Sequence, residues 1–233
     1  MKAVLYEKRE LSNKRHVFKD RSEAGDILAE MMSSRYLEAR GAMVLAIPAG
    51  GAPVGIRIGE HLRLPFDLMI VRKIQIPGNT EAGFGAMTPE GDVFLNEELL
   101  SYLNLAPAQI ELQKEAVRRD LEERNRIFRA ARAFPDLSGK KIILADDGVA
   151  SGYTMMASIH MVKHKGAGKT IIAVPTAPLR SIRKIESLVD EIYCANIRDT
   201  SQFAVADAYR NWYDLTRQEV LDILKGKTGR AAE

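Results

Sequence analysis

The chain has 233 residues, 46% of them hydrophobic and 28% charged, with a net charge of +3. That length and balance suit one sizeable folded core, exclude a disordered or fibrous chain, and leave no apolar run near the ~18 residues of a membrane span. The small net charge gives no argument for nucleic acid, the single Cys194 excludes an internal disulfide framework, and the start Met1-Lys2-Ala3-Val4-Leu5-Tyr6-Glu7-Lys8 lacks an export signal's apolar stretch, so a cytoplasmic protein with neither nucleic-acid nor membrane partners is expected.

Asp20, with Glu23 three residues on, is a helix-start pattern, and that helix runs to about Arg40 before Gly41 stops it. Residues 43–47 read as a buried strand, followed by the turn Pro48-Ala49-Gly50-Gly51 and a helix through Leu62. Residues 66–71 form the next strand, ending in Arg72-Lys73. A long loop over 74–85, carrying Pro77-Gly78-Asn79, separates it from a β-pair around 85–96. Residues 107–132 are helical and laced with both charges, with Ile110, Val117, Leu121 and Phe128 as the buried stripe.

The second half alternates: strand 142–145, helix 155–165, strand 170–174, helix 179–188 and strand 191–195. Such alternation predicts an α/β fold, an open parallel sheet flanked by helices. One domain spans 1–233, with a core of about 17–197. A small cap or hood would come from the amino-terminal segment and about 198–215, and 226–233 would be a disordered tail. Ligands of such sheets bind at the carboxyl edge, beneath the hood.

The stretch 142–154 reads Ile-Ile-Leu-Ala-Asp-Asp-Gly-Val-Ala-Ser-Gly-Tyr-Thr. Its apolar run suits a strand buried on both faces. Asp146 and Asp147 at the strand's carboxyl end can accept hydrogen bonds from sugar hydroxyls or face a hydrated Mg²⁺. Gly148, Val149, Ala150, Ser151, Gly152, Tyr153 and Thr154 offer backbone N–H groups, hydroxyls and a helix amino end that together cradle a phosphate. In the turn at 48–51, the paired glycines let the backbone approach a ligand closely.

This order of residues resembles the 5-phosphoribosyl 1-pyrophosphate (PRPP) motif of the type I phosphoribosyltransferases, and every position of the pattern is met from Ile142 to Thr154. The resemblance implies a Mg²⁺-dependent pentosyl transfer from PRPP to a nitrogenous base, with release of pyrophosphate. In that reading Asp146 and Asp147 hold the ribose hydroxyls directly or through Mg²⁺ and its water, and residues 148–154 hold the 5-phosphate. Ala49, Gly50 and Gly51 form the pyrophosphate loop, often built in this family around a non-proline cis peptide. Arg72 and Lys73 neutralise the leaving pyrophosphate and open a mobile loop. Phe203 and Trp212, in a stretch similar to the base-stacking segment of hypoxanthine-guanine enzymes, line the base pocket. The partners implied are PRPP, pyrophosphate and a base or nucleotide, with a homo-oligomer, a dimer, as the assembly.

Two positions depart from the family. Ala49 stands where relatives commonly carry Arg, which removes a charge-assisted bond to pyrophosphate. Ala150 stands where hypoxanthine-guanine enzymes carry an Asp at the purine N7, so the acceptor stays open. Surface cations at Arg72-Lys73 and ordinary packing of Phe203 and Trp212 are the competing readings of those residues. A non-catalytic sensor of PRPP or a nucleotide on the same fold is the alternative function. Gly166-Ala167-Gly168-Lys169-Thr170 imitates part of a nucleotide-triphosphate loop but follows a helix and enters a strand, and His160 and His164 lack the Glu of a metalloprotease helix.

Overall fold

Strands without polar alternation need cover on both faces, and this requirement sets the architecture. A computed structural model describes residues 2–89, 91–129 and 132–229. In chain order β1 (Val4–Tyr6) and α1 (Arg21–Tyr36) precede β2 (Ala42–Ala46), α2 (Gly51–Leu62) and β3 (Phe66–Leu68). Next come β4 (Arg72–Ile76), β5 (Asn79–Met87), β6 (Val93–Leu95), α3 (Glu97–Leu103) and α4 (Pro107–Arg129). The second half is β7 (Lys141–Ala145), α5 (Tyr153–His164), β8 (Lys169–Pro178), α6 (Leu179–Ile185), β9 (Glu191–Arg198) and α7 (Arg217–Gly229).

Six strands form one sheet in the order β1-β9-β8-β7-β2-β3, and every neighbouring pair is parallel. The pleat sends Val44, Ile143, Ile171 and Tyr193 to one face, where Leu28 and Met32 of α1 and Val54 and Ile58 of α2 cover them. Leu45, Leu144, Ile172 and Cys194 point the other way, under Met155 and Ile159 of α5 and Ile182 of α6. Full burial of each such aliphatic side chain contributes roughly 1.5–3 kcal/mol. Helices α1 and α2 meet at Gly25, where a Cβ would stand 2.9 Å from the Val54 carbonyl oxygen and 2.7 Å from Arg57 Cβ.

Several expectations are corrected. The segment 74–85 is a β-hairpin rather than a long loop: β4 and β5 turn at Pro77-Gly78, with φ of 77° at Gly78, and β6 adds a third antiparallel strand. Burial of Ile74, Phe84 and Met87 anchors the hairpin despite the poor strand propensity of Gly83 and Gly85. Val4–Tyr6 joins the main sheet as an edge strand rather than the hood, with Tyr6 stacked on Tyr193 at 4.4 Å. Helix α1 ends at Tyr36 rather than near Arg40, because the chain turns at Glu38 with φ of 52°. Helix α3 was not anticipated; Asn96 caps it through the Leu99 amide at 2.9 Å. Helix α7 runs through 226–229, where a disordered tail was expected, and the rest of that tail lies outside the described residues, as does 130–131 beyond α4.

The hood is made by two distant segments zipped together. Phe18 N donates to Ala208 O at 3.0 Å, Arg210 N to Phe18 O at 2.8 Å, and His16 N to Asp207 O at 2.7 Å. The short 3₁₀ turn Val205–Ala208 rests on the loop after β7: a Cβ at Gly148 would stand 2.6 Å from Val205 Cγ1.

Candidate active site

The adjacent strands β2 and β7 end side by side, in register at Ala46 and Ala145, so the loops that follow them meet at the sheet's carboxyl edge. The contact is close enough to dictate sequence. A Cβ at Gly50 would overlap the Asp147 carboxylate, and one at Gly51 would stand 2.8 Å from both Ala145 O and Asp146 Cα. The peptide Pro48-Ala49 is cis, at the position where the resemblance implies one. No side chain larger than hydrogen fits at Gly50 while Asp147 keeps its place.

Asp146 and Asp147 are adjacent, and the Asp147 side chain is 14% exposed. Asp146 Oδ1 accepts the Asp147 amide at 2.8 Å. Burial, then the neighbouring Asp147 charge, pushes the Asp146 carboxyl well above the usual carboxylate range. Burial lifts Asp147 as well, opposed by a guanidinium: Arg21 Nε donates to Asp147 Oδ2 at 2.8 Å. Tyr209 donates its hydroxyl to the Asp147 carbonyl at 2.6 Å, and burial followed by the Asp147 charge holds that phenol protonated, far above its ordinary value.

The loop 148–154 is held by bonds to β8 and α6. Val149 N donates to Thr176 O at 3.0 Å, and Ser181 Oγ to Ala150 O at 2.5 Å. Gly152 enters α5 with φ of 87°, a conformation that favours glycine, and no side chain caps the helix. The first-turn amides of Tyr153 and Thr154 therefore have no intrahelical acceptor. Amides and helix dipole together make a seat for an anion.

A family model for the phosphoribosyl transferase domain matches residues 18–209. The chain belongs to the phosphoribosyltransferase family. Two Mycobacterium tuberculosis proteins, from strains H37Rv and CDC 1551, bear phosphoribosyl transferase names and are each 31% identical over 208 residues. The match covers 89% of this chain but 46% of theirs, so the chain spans about half the length of these curated relatives. The crystal structure of TT1426 from Thermus thermophilus shares the fold with a TM-score of 0.77 at 29% identity, covering 89% of this chain and 97% of that one.

Not every residue expected at the phosphoribosyltransferase site is brought to it. Arg72 turns towards α4, where its Nε lies 2.7 Å from Asp120 Oδ2, an oxygen shared with Arg124 at 3.0 Å. Successive strand residues point to opposite faces, so Arg72 and Lys73 cannot act as a side-by-side pair. Lys73 lays its stem over Gly83, where a Cβ would stand 3.3 Å from Lys73 Cβ. Phe203 lies under the Arg198 guanidinium at 5.3 Å, and Arg198 in turn bonds Asp207 at 3.0 Å. Trp212 does reach the acids, through Arg21, whose Cζ stands 4.0 Å from the indole centroid.

Arg21 and Tyr209 are the residues that sequence reasoning missed. Tyr209 lies between Phe203 and Trp212 in the hood, but its hydroxyl's partner is a backbone carbonyl 62 positions away. Arg21 follows the helix-capping Asp20 and looks like an ordinary first-turn cation. Among the described residues no cluster of three or more His, Cys, Asp or Glu is arranged to hold a metal. Two adjacent carboxylates nevertheless fit Mg²⁺, which is commonly bound by one or two carboxylates together with substrate phosphates. A cavity of about 590 Å³ lies between β5, β6 and α5 and shares only Tyr153 with the site. Among the described residues no helix is long and apolar enough to cross a membrane.

Proposed function

We propose that the protein transfers the 5-phosphoribosyl group from PRPP to a nitrogenous base and releases pyrophosphate. The observation that carries this reading is the meeting of the Gly50-Gly51 loop with Asp146-Asp147, beside an uncapped helix amino end. Such a site offers hydroxyl acceptors between two anion seats, matching a sugar with phosphate at one end and pyrophosphate at the other.

The 5-phosphate sits on the amides of Ala150, Ser151, Gly152, Tyr153 and Thr154, and the ribose hydroxyls donate to Asp146 and Asp147. As the anomeric C–O bond breaks, its electron pair leaves with pyrophosphate and the sugar gains oxocarbenium character. The two carboxylates stabilise that positive charge, and the backbone of Ala49, Gly50 and Gly51 receives the pyrophosphate oxygens. A base nitrogen then bonds to the anomeric carbon through its lone pair, and a proton carried by that nitrogen passes to water. Mg²⁺, held by Asp146 and Asp147 directly or through water, would neutralise the phosphate oxygens. Lys73, at the start of the hairpin, would contribute positive charge on the pyrophosphate side.

The alternative, a sensor that binds PRPP without turnover, draws support from Ala49 and from the commitment of Arg72 to Asp120. Both lower the positive charge available to a leaving pyrophosphate. A pyrophosphate-release assay with PRPP, Mg²⁺ and a panel of bases, run beside calorimetric PRPP titration, separates the two. Release with one base supports the enzyme; binding without release for every base supports the sensor; absence of PRPP binding removes both.

A further inference from the structure

We propose that Arg21 is a positioning residue: it fixes the Asp147 carboxylate for the ribose and transmits the seating of the hood to the donor site. The inference rests on the reading of this site as one for PRPP. Three constraints with different directions act on one planar group. Nε donates to Asp147 Oδ2 at 2.8 Å, Nη1 donates to the Tyr213 carbonyl at 2.9 Å, and the guanidinium face covers Trp212 at 4.0 Å. The two in-plane bonds fix the fork's direction, and the stacked indole fixes its height.

The origin of those constraints gives the arrangement its consequence. Arg21 is 7% exposed and stands at the start of α1, yet what holds it on the far side from Asp147 is the hood, through Trp212 and Tyr213. Tyr209, packed on Trp212 at 5.2 Å, bonds the Asp147 carbonyl. The hood thus grips the acid by its side chain and by its backbone. With Oδ2 held by Arg21, the carboxylate plane is fixed and Oδ1 keeps both its lone pairs for a ribose hydroxyl. A shift of Trp212 passes through the guanidinium to the carboxylate, although the indole has no bond to Asp147 itself.

The test is calorimetric titration of PRPP with Mg²⁺ into the wild type, Arg21→Lys, Trp212→Leu and the double variant, each well below its melting temperature. Arg21→Lys keeps the charge but loses the fork, and its PRPP affinity is expected to fall at least about tenfold. Trp212→Leu is expected to lose severalfold, and the double variant to bind no worse than Arg21→Lys alone, because both act through one group. Arg35→Lys, which alters a similar cation–ring contact on Tyr6 at 5.2 Å away from the site, keeps its affinity within about twofold. Wild-type affinity in Arg21→Lys overturns the proposal, as do additive losses in the double variant. If Arg21→Lys fails to fold, Trp212→Leu decides: unchanged PRPP affinity overturns the proposal. A wild type that does not bind PRPP removes the donor reading itself, an outcome distinct from a wild type that binds with variants that match it.

Discussion

Two buried ionic clusters sit at opposite edges of the same sheet and are built to opposite plans. At the amino edge, Glu191 is saturated: Oε1 takes Lys169 at 2.6 Å, and Oε2 takes the hydroxyls of Tyr36 at 2.8 Å and Tyr193 at 3.1 Å. At the carboxyl edge, Asp147 is gripped by Arg21 and shares its site with a second carboxylate, glycine backbone and an uncapped helix end. The first cluster holds β8, β9 and α1 together. The second keeps binding capacity in hand. A cluster whose oxygens are all engaged suits a structural role, whereas carboxylates beside glycine backbone and an uncapped helix end are the arrangement on which the proposed ligand site rests.

Substitutions at the carboxyl edge should therefore cost affinity, with or without stability, and those at the amino edge stability alone. The largest effect is expected from Gly50→Val, whose side chain would displace the Asp147 carboxylate; misplacement of this kind can cost on the order of 100-fold, and PRPP titration should show it with the far-ultraviolet spectrum unchanged. Asp147→Asn should weaken PRPP about tenfold or more and also lower stability by about 3 kcal/mol in urea unfolding, since it leaves Arg21 buried without its counter-charge. A variant that loses affinity at no cost in stability would show the pair to be looser than its 2.8 Å contact implies.

Glu191→Gln reverses the pattern, with roughly 2 kcal/mol of stability lost and PRPP affinity unchanged. Its pH dependence has a defined sign. Burial alone would raise the Glu191 carboxyl, but Lys169 and Tyr36 outweigh burial and hold it below its ordinary value. The stabilisation is therefore fully present above the ordinary glutamate range and is lost as pH falls through the depressed value. Melting curves of wild type and Glu191→Gln should converge in that acidic window and stay apart at neutral pH. The smallest effect is expected for Arg72→Gln: with its guanidinium engaged by Asp120, PRPP affinity should stay within about twofold. A tenfold loss would return Arg72 to the site.

The legible parts of the molecule are those whose cause is local. The run 142–145, the acids and the loop to Thr154 are contiguous, so strand, site and helix start could be read together. Likewise, uninterrupted apolar strands imply a covered parallel sheet before any contact is known. What escaped reading depends on residues far apart in the chain. Arg21 meets Asp147 across 126 positions, and nothing near Arg21 marks it as more than a helix-start cation. The pair Arg72-Lys73 reads as doubled charge, but a strand divides neighbours between two faces and Asp120 claims one of them. The hairpin was hidden because its glycines suggest a loop, while the burial of Phe84 that stabilises it comes from packing. The strand Val4–Tyr6 is too short to show a period.

The glycine at the α1–α2 crossing acquires a role from its distance to Arg21. Gly25 lies one turn along α1 from Arg21, and Val54 and Arg57 press against it from α2. That bare backbone contact fixes the spacing of α1 from α2 one turn from the residue that carries the guanidinium. A side chain at Gly25 would meet the Val54 carbonyl oxygen at 2.9 Å, so the close approach of a helix pair on the sheet's flank helps set where the partner of an acid at the sheet's edge stands.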